Sequence, residues 1–411
     1  MSRVWRTWSV LLLFAVGTSL ITPLIPIYQD ELGFGDTVVT LFMVCYVIGL
    51  VPSMLALGQL SDRVGRKPVL LGALAVLAVG QVLLVTEPPL WGVLCARAIQ
   101  GVATGAFFGT CTAFLVDGAA PERRMFASVL GAISVRLGLG LGPGIGGVLA
   151  QYADNPLRLP FELHLVALAV AAGLVFTLPE TVTVRSARPL TLRLEVPAAE
   201  RAVFWRVLVP SGMLFSLFDG VALSLIPVFL VRELGVSNYA LVGAAGFLVL
   251  VSGAISQILL ARLRAPVAIG GGLVWATIAS MGVVLAAPSE SVALALIAVS
   301  VTGAGAGLVF KGGIDLCTQI APVADRGKLL SSYYVACYLG GFSVPLILVG
   351  VLGDLLGLTA ALACLSVAAA VGSGWTIFSG LRSLDRLTPA LSASGKRGPG
   401  VGSIGDDAGS G

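Results

Sequence analysis

A chain of 411 residues with 57% hydrophobic and 11% charged side chains has about half the charge fraction of a soluble globular protein. Its mean hydropathy of +0.99 excludes water as the main solvent, so the length counts membrane spans rather than globular domains. The net charge of +4 is explained by a one-sided distribution of cations and calls for no nucleic-acid partner.

Apolar runs of about 20 residues, the length a helix needs to cross a bilayer, recur through the sequence. The predicted spans are Val10–Tyr28, Val38–Leu60, Pro68–Thr86, Leu90–Leu115, Ala127–Ala150 and Leu163–Leu178. A second set follows at Val207–Val231, Tyr239–Leu260, Ala268–Ala287, Val292–Phe310, Leu329–Leu352 and Leu358–Phe378. The first run is too long for a signal-peptide core and no small-residue cleavage pattern follows it, so it is read as a retained span. With Met1 inside, the inner loops hold Arg63, Arg66, Lys67, Arg123, Arg124, Arg262, Arg264, Arg326 and Lys328, whereas the outer loops keep only Arg158 and Arg232 among their acidic residues. Both termini are therefore expected to be cytoplasmic. The six cysteines lack metal-site or disulfide spacing and read as small packers.

Two features divide the chain. The segment 179–206 is polar, rich in Arg, Thr and Pro, and reads as a cytoplasmic linker between a first half, 1–178, and a second, 207–387. Residues 388–411 are Ser-, Gly- and Pro-rich and read as a disordered cytoplasmic tail. The halves also repeat each other. Pro23-Leu-Ile-Pro-Ile-Tyr and Glu31-Leu-Gly33 return as Ser224-Leu-Ile-Pro-Val-Phe and Glu233-Leu-Gly235, and Gly101-x-x-x-Gly105 returns as Gly303-x-x-x-Gly307. Six spans per half give both repeats the same topology, so the axis relating them runs along the membrane normal.

The loop after the second span reads Gly58-Gln-Leu-Ser-Asp62-Arg63-Val-Gly65-Arg66-Lys67-Pro68. Gly58 and Gly65 permit a close approach and a tight turn, Asp62 can cap the next helix or pair with a base, and the cations can face phospholipid. This run resembles the signature between the second and third helices of the major facilitator superfamily. The resemblance implies a charge relay in which Asp62 and Arg66 meet an acidic residue at the inner end of the fourth span, where Asp117 stands. The equivalent loop of the second half, Ser256 to Pro266, lacks the aspartate.

Two further runs resemble that superfamily. In the fourth span, Arg97-Ala-Ile-Gln100-Gly101 is similar to a pattern linked to proton coupling, while a guanidinium held by carbonyls and Gln100 is the structural alternative. In the fifth, Gly138-Leu-Gly-Leu-Gly142-Pro143-Gly-Ile-Gly146-Gly147 resembles a pattern that implies proton antiport by exporters. Physically, Gly138, Gly142 and Gly146 make one smooth packing face and Pro143 bends the helix. Leu178-Pro179-Glu180-Thr181, closing the sixth span, again resembles the family.

Intramembrane charges are functional candidates. Asp219 and Arg136 fall about 18 and 14 Å into their predicted spans at about 1.5 Å per residue. Asp219 is the candidate proton carrier, and a permanent structural pair with Arg136 is the alternative. Lys311, Glu162 and His164 read as residues near the span edges. Phe215 and Phe218, with Tyr334 and Tyr338, form aromatic stripes beside the expected cavity, where packing is the alternative role. There is no phosphate loop, nucleophile elbow or metal-ligand cluster, so neither enzymatic chemistry nor a cofactor is expected.

The resemblance runs from Gly17 to the end of the twelfth span. It implies an all-α, twelve-helix fold of two pseudo-symmetric halves, with alternating access and spans one, four, seven and ten lining a central cavity. The expected protein is a proton-gradient-driven exporter of small lipophilic or amphiphilic compounds in a bacterial inner membrane. Its partners would be substrate, protons and the bilayer, with no nucleic acid, and it would act as a monomer. An uptake symporter or uniporter for a sugar or other metabolite, and a non-transporting receptor, are the competing readings.

Overall fold

The computed structural model describes residues 3–182, 194–322 and 325–384. Within them the secondary structure is helical, with no strands, and twelve helices are long and apolar enough to cross a membrane. Spans one to six run Arg3–Leu32, Asp36–Val64, Arg66–Val85, Leu90–Asp117, Pro121–Tyr152 and Leu159–Phe176. Spans seven to twelve run Arg201–Arg232, Tyr239–Leu259, Ala265–Ala286, Val292–Ile320, Arg326–Leu356 and Leu358–Gly380. The expected tail, and residues 183–193 of the expected linker, lie outside the described residues.

Most ends fall near their predicted positions, and span ten is the main correction: it continues to Ile320 rather than stopping at Phe310. Lys311 and Asp315 explain this. They sit one turn apart with Nζ and Oδ2 2.5 Å from each other, so each charge offsets the other and the helix carries both. Lys311 thus lies within the helix, with its side chain 15% exposed, about 28 Å from the helix start at about 1.5 Å per residue. Two spans are broken. Pro23 and Pro26 interrupt span one at a short turn over Thr22–Leu24, and span eleven breaks at Phe342 and Ser343, just before Pro345, because proline cannot donate to the preceding turn.

The repeat is visible in the packing. A Cβ on Gly101 or Gly105 would strike Tyr46 O or Leu50 O of span two, and one on Gly303 or Gly307 would strike Val249 O or Gly253 O of span eight. The repeated Glu-Leu-Gly triplets end spans one and seven on Gly33 and Gly235, with φ of +67° and +62°, the left-handed geometry that glycine adopts without steric cost.

The buried apolar core is distributed unevenly between the two faces. Toward the face carrying Arg3 and Arg201, here the terminal face, there are two large separate clusters beside a small one at Leu115, Ala119 and Ala127. One gathers Leu11, Phe14, Leu70 and Phe107 from the first six spans, the other Phe204, Phe215, Ile269 and Tyr333 from the last six. Toward the distal face a single cluster joins Leu24, Tyr28 and Phe42 to Leu225, Phe229 and Leu346. The two sets of spans are therefore sealed together by apolar burial distally and have distinct cores at the terminal face.

Candidate functional site

The loop between spans two and three turns on Gly65, whose φ of +117° lies where a side chain would be strained. The turn brings Arg66 onto Asp62 at 2.9 Å and Asp117 at 3.2 Å, and Arg66 Nη1 donates to Ser61 Oγ at 2.8 Å. The three residues of the expected relay are therefore in contact. One of the two roles open to Asp62 is taken, and the expectation for Lys67 needs correction. Asp62 takes the base-pairing option, and the cap of span three is Glu180, which accepts from Arg66 N at 3.0 Å and Lys67 N at 2.9 Å. Lys67 does not face lipid: its Nζ donates to Phe176 O and Leu178 O at 2.8 and 2.9 Å, neutralising the carbonyl end of span six. Arg63 forms no ion pair among the described residues, and the surroundings of Gly58 lie outside them.

Partial burial acts to raise the Glu180 pKa, but the N–H groups of Lys67, Val182, Thr181 and Arg66 outweigh it and hold the carboxyl below its usual value. The residue follows the recognised Leu178-Pro179 pair, yet its partner lies more than a hundred positions earlier, so sequence proximity gave no hint of its capping role.

Span five is packed on two sides. Gly138, Gly142 and Gly146 face span one: a Cβ on Gly138 would lie 2.5 Å from Ala15 Cβ, and those on Gly142 and Gly146 would strike Val16 O and Leu20 O. Pro143 leaves Leu139 O without its helical donor, and Ser19 of span one supplies the missing bond at 2.6 Å. On the other side, Cβ atoms on Gly147 and Gly246 would lie 2.7 Å from Gly243 Cα and Pro143 Cβ respectively, across the boundary with span eight. The predicted stripe therefore packs within the first six spans, whereas Gly147 and Pro143 form a close contact between the two sets.

Arg97, 4% exposed, is held by carbonyls and Gln100. It donates to Phe42 O at 3.0 Å, Thr18 O at 2.9 Å and Gln100 Oε1 at 2.6 Å, and lies 4.7 Å from the Tyr46 ring. No carboxylate pairs with it among the described residues, so it is not brought to Asp219. Gln100 is fully buried on Arg97 rather than offered to a cavity.

Arg136 and Asp219 do meet. Arg136 stands at the middle of Arg124–Tyr152 and reaches across the boundary to place Nη1 3.8 Å from Asp219 Oδ2 in span seven. Its guanidinium lies 5.5 and 5.6 Å from the Phe215 and Phe310 rings. Phe310 stacks on Phe215 at 4.7 Å and links it through Tyr334 to Tyr338 and Phe342. Phe218 is not part of this ladder; it lines a small cavity with Val221, Thr302 and Leu365. His164 is buried, its Nε2 2.9 Å from Leu13 O, with the ring packed on Gly17, so it belongs to the core and not to a span edge. Glu162 pairs with exposed Arg158 at 2.6 Å.

The distal face carries polar contacts that the sequence reading left among ordinary loop charges. Asp354, at the end of span eleven, accepts from Asp36 N at 2.5 Å and Thr37 N at 3.0 Å, capping the start of span two. Gln151, at the end of span five, accepts from Tyr239 N at 2.7 Å, at the start of span eight. The two clasps are related by a single shift of 203 residues, which carries Asp36 to Tyr239 and Gln151 to Asp354. Arg232 adds a pair to Asp36 at 3.0 Å. Among the described residues, the hydrogen bonds and ion pairs joining the first six spans to the last six lie at mid-depth or on this face.

Comparison with known proteins places this geometry in context. The family model described as Major Facilitator Superfamily matches residues 7–345. The inner membrane transport protein YajR of Escherichia coli (strain K12) is 27% identical over 175 residues, 42% of this chain and 37% of that protein. The class C tetracycline resistance protein of Escherichia coli is 32% identical over 167 residues, 39% of each chain. The matched stretches thus span about two-fifths of these relatives. A crystal structure of a POT family transporter with a thioalcohol conjugated peptide superposes with a TM-score of 0.77 at 13% identity, covering 94% of this chain and 96% of that one. A bacterial homolog of the human lysosomal transporter Spinster, in an inward-facing and unoccupied conformation, gives 0.72 at 13% identity over 94% and 97%.

Two outcomes follow from these contacts. A cap whose carboxyl is held below its usual value stabilises fully above the unfolded value of about 4.3 and loses its effect as pH falls through the folded one. Glu180→Gln is expected to cost about 1 kcal/mol at pH 7, with the gap between the two melting curves closing below about pH 4; a gap that persists in acid means the charge is not the cap. For span five, Gly142→Leu should overpack span one and lower stability by about 1–3 kcal/mol. Gly147→Leu, at the boundary, should instead shift labelling of an introduced Leu355→Cys on the distal face. Identical behaviour of the two variants in both assays contradicts the two-sided reading.

Proposed function

The chain belongs to the Major Facilitator Superfamily, and on that premise we propose that it is a proton-coupled exporter of small lipophilic or amphiphilic compounds. It is a multi-pass membrane protein, and the reading adds alternating access between its two faces in a bacterial inner membrane. The terminal face is assigned to the cytoplasm, because Arg63, Arg66, Lys67, Arg123 and Arg124 stand there.

One observation carries the reading: a buried acid and base, contributed by different halves, face each other at 3.8 Å in mid-span. A carboxylate pinned by a cation from the other half holds the halves together. Protonation removes the attraction and leaves Arg136 free to part from it, so proton binding and conformation are linked through one contact. The two-sided glycine face of span five gives the halves a smooth bearing on which to rock, and the resemblance of that run to antiporters supports the outward direction of cargo. The similarity to the class C tetracycline resistance protein supports the efflux reading. The competing uptake reading predicts proton and cargo moving the same way.

The test is proton flux in everted vesicles across a compound panel. Wild-type protein should discharge a pH gradient on addition of cargo, and Asp219→Asn should abolish gradient-driven uptake into the vesicles while leaving exchange of labelled for unlabelled cargo. Intact gradient-driven movement in Asp219→Asn would remove Asp219 from the coupling step. Loss of folded protein, binding and exchange together would assign the pair a structural role only.

A further inference from the structure

The loop between spans eight and nine repeats the loop between spans two and three with its acid removed. A shift of 198 residues carries Gln59, Arg66 and Pro68 to Gln257, Arg264 and Pro266, and puts Leu260 where Asp62 stands. In the first half the cations of this loop have protein partners: Arg66 meets Asp62 and Asp117, and Lys67 meets two carbonyls. In the second half neither Arg262 nor Arg264 pairs with a carboxylate or donates a side-chain hydrogen bond among the described residues. The acid near the inner end of span ten, Asp315, is already held by Lys311.

Arg206 and Arg382 stand nearby in the same condition. Span twelve ends between the starts of spans seven and nine: a Cβ on Gly380 would lie 2.7 Å from Arg206 O, and one on Gly270 would lie 3.3 Å from Leu381 Cδ1. All four arginines are exposed, and neither Asp nor Glu occurs in 201–218, 234–289 or 355–384. The terminal ends of these three spans therefore form a basic rim without acids.

Water hydrates exposed cations, so exposure alone assigns no partner; the flanking surface does. Trp205, Trp375 and Phe378 are 65, 61 and 62% exposed, and Arg382 lies 4.4 Å from the Phe378 ring. Aromatic rings and arginines at the ends of apolar spans match the headgroup level of a bilayer. Exposed Leu259, Val267 and Val274 continue the apolar surface and give an acyl chain a wall to lie along. A soluble anion would meet the same charge but leave those side chains in water. Guanidinium forks also receive phosphate oxygens in pairs.

We propose that the rim formed by Arg206, Arg264 and Arg382 binds the phosphodiester headgroup of an anionic phospholipid in the leaflet at the terminal face. The second half thus turns toward lipid the cations that the first half turns onto its own relay. The assignment does not depend on the exporter reading.

The test is native mass spectrometry of the purified full chain in detergent, titrated with phosphatidylglycerol or phosphatidylcholine of identical acyl chains. The wild-type chain should bind its first phosphatidylglycerol at least about tenfold more tightly than its first phosphatidylcholine. The double variant Arg264→Gln, Arg382→Gln should lose most of that preference. Arg264→Gln alone should lose part of it, and serves where the pair does not fold. Arg123→Gln, Arg124→Gln removes two cations from the same face at span five and should leave the preference unchanged. Added sn-glycerol 3-phosphate, which has the headgroup chemistry without acyl chains, should not displace the lipid. No preference in the wild-type chain, equal loss in the two glutamine pairs, or an unmoved preference in folded Arg264→Gln overturns the site. Displacement by sn-glycerol 3-phosphate overturns the lipid as its occupant.

Discussion

A guanidinium and a carboxylate placed at mid-depth between two sets of helices are stable only while they face each other or a ligand, and much of the surrounding arrangement answers to that condition. Arg136 and Asp219 come from spans five and seven, on opposite sides of the boundary. Separating them in an apolar interior leaves two uncompensated charges, whereas protonating the acid removes one of them. In this account the contact is therefore strong when Asp219 is ionised and weak when it is not.

The rest of the structure gives such a switch something to move. Apolar burial is continuous across the boundary on the distal face and separate at the terminal one. The distal seal is closed by two helix-end clasps at pseudo-equivalent positions, one made by a carboxylate, Asp354, and one by an amide, Gln151. Between them, span five is clamped to span one by Gly138, Gly142, Gly146 and the Ser19–Leu139 bond, and rests on span eight through Pro143 and Gly147. A helix fixed on one side and smooth on the other can serve as a bearing. The Asp62–Arg66–Asp117 cluster braces the same half from the terminal side.

Much of this was legible in the sequence because hydropathy and local spacing report on it directly. Twelve spans, the internal repeat and the depth of Asp219 and Arg136 each depend on residues close together or on simple length, whereas the relay from Arg66 to Asp117, 51 positions on, was implied by the family resemblance alone. What the sequence could not show depends on partners from distant segments. Glu180, Asp354 and Gln151 cap helices that begin more than eighty residues away, and a helix start does not announce which side chain will cover it. The stripe in span five was evident, but which glycines meet span one and which meet span eight follows from three-dimensional facing. Span ten was ended too early because hydropathy falls at Lys311, although its neighbour Asp315, one turn on, offsets the charge. Arg97 was readable as buried and demanding partners, and the carbonyls of spans one and two that satisfy it carry no sequence signature.

The central claim is that the mid-depth ion pair holds the two halves in the distally sealed arrangement. It is tested most directly by the distance between spin labels at Leu32→Cys, ending span one, and Leu355→Cys, ending span eleven, in a background freed of the native cysteines. With Asp219 present, the distribution should be dominated by the short separation of the sealed face. With Asp219→Asn, a longer separation should gain population at its expense. Superimposable distributions in the two proteins would contradict the claim and leave the seal to the distal clasps and the apolar core alone.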